Sequence, residues 1–252
     1  MSTIFVPSGY EQVLADLDQL ELPETDGVPL DSPWHRDNIN LLADSLKHQW
    51  RHRPDFFVGG NMSVFYSVKQ ARNRDFLGPD VFVVNGGVDR HAPRKVWTIW
   101  QENNRGLDVV IELLSPSTAD HDRTDKKDLY EQRLRTPEYF CYDPETQVLE
   151  GWRLDNRHCY QPMERSEDGR LWSEELELWL GTWTGEYSQT FGTWLRWFDH
   201  HGNVCLLEAE DEARRADDEA RRADDEARRA DLAEAEVRRL RELLNAQGTL
   251  NS

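Results

Sequence analysis

The sequence predicts an α/β protein, a mixed β-sheet flanked by helices, followed by one long C-terminal helix. Three observations carry that expectation. Val109, Val110, Ile111, Leu113 and Leu114 make an apolar run of the kind found in a strand covered on both faces, interrupted once by Glu112. Helical and strand-like periods alternate on either side of that run. From Leu206 to about Gln247 there is neither proline nor glycine, and the heptad ARRADDE stands at 213–219 and again at 220–226.

Three segments follow from this pattern. Residues 1–31 read as an N-terminal arm with breakers at Pro7, Gly9, Pro23, Gly27 and Pro29 and a short helix near Tyr10 to Leu20. Residues 32–203 form the main domain, and residues 204–252 a charged C-terminal helix. Ser32-Pro33 opens the first domain helix as cap and first-turn proline, and Ile39, Leu42, Leu46 and Trp50 continue it at helical spacing. Phe56 to Val58 and Met62 to Val68 read as strands, with Gly59-Gly60-Asn61 as a turn or bulge between them. Further strands are expected at Val81 to Val84, Lys95 to Trp100 and Glu138 to Tyr142, then at Val148 to Leu154, His158 to Gln161, Leu171 to Leu180 and around Phe191 to Phe198. Tryptophans 172, 179, 183, 194 and 197 can stack on bases, but their place in strands favours core packing.

Composition narrows the function. The opening residues have neither the cationic start nor the apolar run of a signal peptide, and no stretch approaches the ~20 apolar residues of a membrane span. The three cysteines, 141, 159 and 205, fit no metal spacing and read as reduced thiols of a cytoplasmic protein. Lys plus Arg is 30 against 48 for Asp plus Glu; residues 203–252 hold 9 against 14, leaving 21 against 34 in the rest. Binding to nucleic acid therefore needs a local patch, a metal or a second subunit. The candidate patches are Arg51-His52-Arg53, then Lys69 with Arg72 and Arg74, then Arg90 with Arg94 and Lys95.

The chemistry gathers around Glu112. A carboxylate in a covered strand loses its water, and without a cation, a metal or a proton it costs several kcal/mol. Pro116 ends the strand, and a helix is expected from Asp122 to Leu134. Lys126 precedes Leu129 and Tyr130 by three and four positions and so shares their sheet-facing side, whereas Lys127, Glu131 and Arg135 form a solvated stripe. Lys126 is thus the ammonium aimed at Glu112. Asp80, in Gly78-Pro79-Asp80, supplies a second acid at the entrance of the next apolar strand, although alone it fits an ordinary turn residue. Two carboxylates at neighbouring strand ends with a lysine opposite make a hard-oxygen site suited to Mg²⁺ or Mn²⁺.

These pieces resemble a known family. Pro79-Asp80, Glu112, Ser115-Pro116-Ser117-Thr118, Asp122, Lys126, Tyr130, Pro137-Glu138-Tyr139 and Asp143-Pro144 are similar to the bacterial Uma-type family of putative restriction endonucleases, within the PD-(D/E)XK superfamily. The resemblance spans about Ser32 to Asn203 and implies a restriction-endonuclease-like fold, with Asp80, Glu112 and Lys126 as catalytic residues. Asp122, Tyr130 and the helix-entry His35 are minor candidates. One departure stands out: Leu114 occupies the place of the superfamily's usual lysine, and the family's shift of that lysine to the next helix agrees with Lys126. The implied activity is Mg²⁺-dependent hydrolysis of DNA phosphodiesters. An RNA nuclease and an inactive nuclease-like interaction module are the alternatives.

The tail predicts a homodimer. Ala213, Ala216, Ala220, Ala223, Ala227 and Ala230 alternate steps of three and four, as in a coiled coil, and Ala233, Val237, Leu240 and Leu244 carry the same spacing onward after an offset. Asp217 with Arg221 and Asp218 with Arg222 are spaced as supportive helix pairs. A dimer would present two sites to one duplex.

Overall fold

The computed structural model describes residues 32–73 and 76–249, with side chains through residue 240. The expected N-terminal arm, Arg74 and the Leu244 side chain lie outside what is described. The chain divides into two compact units, Met1–Cys205 and Leu206–Ser252.

The first unit begins with α1 (Pro33–Gln49), whose Ser32 cap accepts a hydrogen bond from His35 N and whose Pro33 occupies the first turn. Then follow β1 (Phe56–Gly60), the two-residue β2 (Val64–Phe65) and the short helix α2 (Val68–Arg72). After β3 (Val81–Asn85), the two-residue β4 (Trp97–Thr98) and β5 (Val109–Leu113), the chain enters α3 (residues 119–134). Within α3, π-type turns at Asp122–Lys126 and Tyr130–Leu134 alternate with α-helical Ala119–His121 and Lys127–Leu129. The remaining strands are β6 (Glu138–Asp143), β7 (Val148–Leu154), β8 (Tyr160–Pro162), β9 (Leu171–Ser173), β10 (Leu178–Tyr187) and β11 (Thr190–Phe198).

Six strands form the central sheet in the order β1-β3-β5-β6-β7-β8. All its pairs are antiparallel except β5 with β6, which is why the chain needs α3 as a crossover between them. β9 to β11 form a separate antiparallel sheet, and β2 pairs with β4 in parallel. The strand period of two divides the central sheet into two cores. Val109, Ile111 and Leu113 face the side where Leu42 and Leu46 of α1 and Leu195 and Trp197 of β11 are packed. Val110 and Leu114 face the other side, with Tyr130 of α3. Position 112 belongs to that second side by alternation.

Asn38 ties α1 to the second sheet. It is fully buried and exchanges two hydrogen bonds with the backbone of Leu195, at 2.9 and 3.0 Å, taking the place of a strand neighbour. Of the five tryptophans considered for base stacking, Trp194 and Trp197 are buried and the other three are half-buried.

Several local expectations are corrected. Gly59 and Gly60 lie inside β1 rather than in a turn, because a Cβ at Gly59 would fall 2.2 Å from the Phe82 ring and one at Gly60 2.6 Å from Ile39. The reversal comes one residue later, at Asn61 with φ 45°. The expected strand from Met62 to Val68 is only two residues long, since Ser67 caps α2 and its Oγ accepts from Gln70 N. The Lys95 to Trp100 strand likewise shrinks to Trp97–Thr98, and the Leu171 to Leu180 stretch is two strands around a turn in which Glu177 takes φ 55°. The crossover helix starts at Ala119, three residues before the expected Asp122.

The second unit contains α4 (Glu208–Thr249). Its aligned charges pair differently from the expectation: Arg221 meets Asp218 at 4.0 Å, and Arg238 meets Glu234 at 3.7 Å. No helix among the described residues is long and apolar enough to cross a membrane.

Candidate active site

Glu112 is 1 % exposed at the heart of β5. Its carboxylate Oε2 lies 3.2 Å from Lys126 Nζ and accepts a long hydrogen bond, 3.4 Å, from Asp80 N. Its other oxygen accepts from the Tyr130 hydroxyl, also at 3.4 Å. Lys126 is shared, because its Nζ lies 2.8 Å from Oδ1 of Asp122, one turn earlier on α3 and 2 % exposed.

Each residue arrives by a local reason. Asp80 sits one residue before β3, and β3 pairs antiparallel with β5 so that Val81 opposes Ile111. Asp80 thereby comes beside the end of β5, where its Oδ2 accepts from Leu113 N at 2.7 Å. Asp122, Lys126 and Tyr130 are spaced four apart and lie along one side of α3. Tyr139 of β6 fixes that helix from below, its hydroxyl donating to the Asp122 carbonyl at 2.8 Å.

The site holds more carboxyl groups than its own cation can balance once they ionise. Asp80, Glu112 and Asp122 surround the single ammonium of Lys126. Burial pushes the Glu112 carboxyl up to about 8; Lys126 opposes the shift, while Asp80 and Asp122 reinforce it. Burial also raises Asp80 to about 6, against the Leu113 N–H and Lys126. For Lys126, burial works to lower the value, but Glu112 and Asp122 outweigh it and hold the ammonium above its ordinary range. Burial keeps the Tyr130 phenol protonated and therefore a donor.

His35 approaches from the α1 side. Its Nε2 lies 3.1 Å from the Leu113 carbonyl, to which it donates, and its Nδ1 2.9 Å from Ser32 Oγ. It shares the Leu113 peptide with Asp80 and makes no hydrogen bond to Glu112 or Lys126. Leu114, at the place of the usual lysine, is buried among the apolar residues of the α3 side.

The expected solvated stripe on α3 is corrected for two of its members. Lys127 Nζ stands 4.6 Å above the Trp152 ring, and Glu131 accepts from Tyr160 N at 2.6 Å. Arg135 is exposed and takes φ 53°, ending the helix in the left-handed region. Two parts of the site take roles that the sequence did not show. The Leu113 peptide acts through main-chain atoms, and Tyr139 grips α3 from another strand.

The donor set suits a hard divalent cation by charge and by oxygen chemistry, with Asp80 and Glu112 at adjoining strand ends. Among the described residues, no group of three or more His, Cys, Asp or Glu side chains is arranged to hold a metal by itself. Of the free cysteines, buried Cys141 of β6 stands directly opposite Glu112 in the strand register, and burial pushes its thiol up, so it stays protonated beside the carboxylates; Cys205 is buried and Cys159 exposed.

The model of the family Uma2, described as "Putative restriction endonuclease", matches residues 10–184, more than half of the chain. A solved structure described as a putative nuclease belonging to DUF820, from Anabaena variabilis, is 14% identical with a TM-score of 0.43, covering 65% of this chain and 89% of its own. Among curated proteins there is no match.

Proposed function

The chain belongs to the Uma2 family of putative restriction endonucleases, and from that premise we propose that it is a divalent-metal-dependent DNA endonuclease. The observation that carries the proposal is the surplus of three carboxyls around one ammonium, which a divalent cation balances. Asp80 and Glu112 would hold Mg²⁺ or Mn²⁺. When bound, the ion lowers the pKa of water to make a nucleophile and offsets the charge that develops on a phosphodiester.

The chain's own groups do the rest. An ammonium has three donors, and Lys126 directs two at Glu112 and Asp122, which leaves one for a phosphate oxygen. Asp122 restrains Lys126, and Tyr130 steadies Glu112 through its hydroxyl. Asp80 and His35 hold the backbone N–H and C=O of Leu113, the residue after Glu112, and so would steady the strand that carries it. The test is supercoiled plasmid and single-stranded oligonucleotides incubated with Mg²⁺, Mn²⁺ or chelator. Cleavage with metal, none with chelator and none by Glu112→Ala is the expected result. RNA cut in preference to DNA would change the substrate, not the chemistry.

The acidic composition and the exposed tail favour a second role, association. On α4, Val237 and Leu240 of the expected seam are 46% and 50% exposed and so remain open to solvent. A second copy of the same helix covers such a seam most simply, as a homodimer. Light scattering should report a dimer for the full chain and a monomer for a chain ending at Asn203. Two monomers would refute the pairing, and two dimers would move it into the first unit. An inactive interaction module is the reading that remains if neither cleavage nor metal binding is found.

A further inference from the structure

The three basic groups of the sequence have different fates. In the first, Arg53 bonds Asn85 at 2.7 Å and lies over the Trp50 ring, and Arg51 donates to the His48 carbonyl. In the third, Arg90 donates to the carbonyls of Arg51 and Arg53, and Arg94 forms a two-pronged pair with Glu102 at 2.6 and 2.9 Å. Those cations are engaged in holding loops. Lys69 of α2 is exposed and, among the described residues, has no carboxylate partner; Arg133 of α3 shares both properties.

Lys69 and Arg133 line one surface pocket of about 370 Å³, together with Tyr66, Ser67, Gln70, Asn73 and Leu129. Gln70 is 4% exposed, and its side-chain oxygen accepts from Tyr66 N at 2.7 Å. That bond fixes which end of the amide is which. The nitrogen, Nε2, is left as a donor sealed from solvent that nothing among the described residues accepts from, so it gains an acceptor when the Gln70 side chain turns toward the pocket that the residue lines. Two cations without a carboxylate partner among the described residues, a side-chain amide with an unused donor, and a hydroxyl group on the same wall are the chemistry of an oxyanion site. The pocket also shares α3 with the candidate active site. Leu129 and Arg133 face the pocket, while Lys126 and Tyr130 reach Glu112.

We propose that this pocket anchors a backbone phosphate of the DNA strand flanking the scissile one, with Lys69 and Arg133 as its cations and Gln70 Nε2 as its buried donor. The proposal deepens the endonuclease reading and rests on it for the identity of the ligand. It explains how a chain of charge -18 engages a polyanion: through a few cations left unpaired beside the site.

The test is fluorescence anisotropy of a labelled 20-base-pair duplex on the full chain, in chelator, over a series of salt concentrations. The double variant Lys69→Ala/Arg133→Ala should bind about tenfold or more weakly, and its log Kd against log salt should be shallower by about one. Gln70→Glu keeps the oxygen that Tyr66 N needs but sets an anion against the phosphate, and it should also weaken binding. Arg36→Ala/Lys47→Ala removes two cations already paired with Asp37 and Asp44 and serves as the charge control. An unchanged slope in the double variant, an equal loss in the control, or no duplex binding by the wild type would each overturn the anchor. Pocket-dependent binding without metal-dependent plasmid cleavage would leave the anchor standing and remove the nuclease activity; cleavage with an unchanged slope would do the reverse.

Discussion

Two glutamates are buried on neighbouring strands of the same sheet, and their surroundings differ in kind. Glu138, 0% exposed on β6, has one oxygen taken by Arg153 Nε at 3.0 Å and Glu174 N at 2.8 Å, and the other by the Ser173 hydroxyl in a short hydrogen bond. Glu112 on β5 has contacts of 3.2 to 3.4 Å, shares its lysine with Asp122 and lies beside Asp80. Burial raises both carboxyls above their ordinary range; at Glu138 Ser173, the Glu174 N–H and Arg153 offset it, whereas at Glu112 two further acids add to it. Burial alone therefore does not mark a functional acid. Long hydrogen bonds and neighbouring acids set Glu112 apart from Glu138, whose partners satisfy it within its own protein.

The sharpest way to break this comparison is to neutralise each acid in turn. Glu112→Gln should lower metal-dependent cleavage by at least ~10²–10³-fold, the scale of losing one preorganised electrostatic element, while the fold survives, because the substitution relieves surplus charge. Glu138→Gln should leave cleavage within a few-fold and destabilise the fold by about 2–3 kcal/mol, below the 3–5 of a fully buried pair because Arg153 is 30% exposed. Plasmid assays and thermal unfolding of both variants decide it, and an exchange of the two phenotypes would undo the comparison.

A second contrast lies within one helix. Lys126→Ala should lose activity by about 10²-fold or more, since it leaves Glu112 and Asp122 facing each other with no cation. Lys127→Ala removes only an ammonium from the Trp152 ring, a change of about 0.5–1 kcal/mol in stability. Parallel assays that gave Lys127 the larger loss in activity would reverse the assignment of the lysine.

The pH dependence sharpens the comparison by a smaller amount. In the metal-free protein the carboxyls of Asp80 and Glu112 are raised, to about 6 and about 8. Their protonated forms are the ones that burial favours, so their stabilisation is complete below about pH 4. It is lost as pH rises through 6 and then 8. Mn²⁺ binds the ionised forms and should tighten over that same interval. Unfolding temperatures at pH 5 and pH 9, with and without Mn²⁺, should show the metal-free loss reversed by the ion, and Glu112→Gln should flatten the trend. A wild-type profile identical to that of Glu112→Gln would count against the surplus-charge account.

Much of the site was legible because it follows from simple periods. The apolar run of β5 marked Glu112 as desolvated, and the three-and-four spacing to Leu129 and Tyr130 selected Lys126 over Lys127. What was not legible depends on side-chain contacts that the periods do not show. Asp122 shows its place only when Lys126 bends toward both carboxylates, and the strand that Met62 to Val68 promised gives way to α2 once Ser67 and Gln70 bond backbone groups nearby. Gly59 and Gly60 looked like a turn because the Phe82 ring that excludes a Cβ there comes from another strand. Lys127 and Glu131 looked solvated because Trp152 and Tyr160 reach them from β7 and β8.

The central claim is that the excess negative charge at Glu112 is a site for a divalent cation, and titration calorimetry of the metal-free full chain with Mn²⁺ tests it most directly. One Mn²⁺ site per chain in the wild type and in Glu138→Gln, and none in Glu112→Gln, is the predicted result. Equal binding by wild type and Glu112→Gln, or none by the wild type, would contradict it.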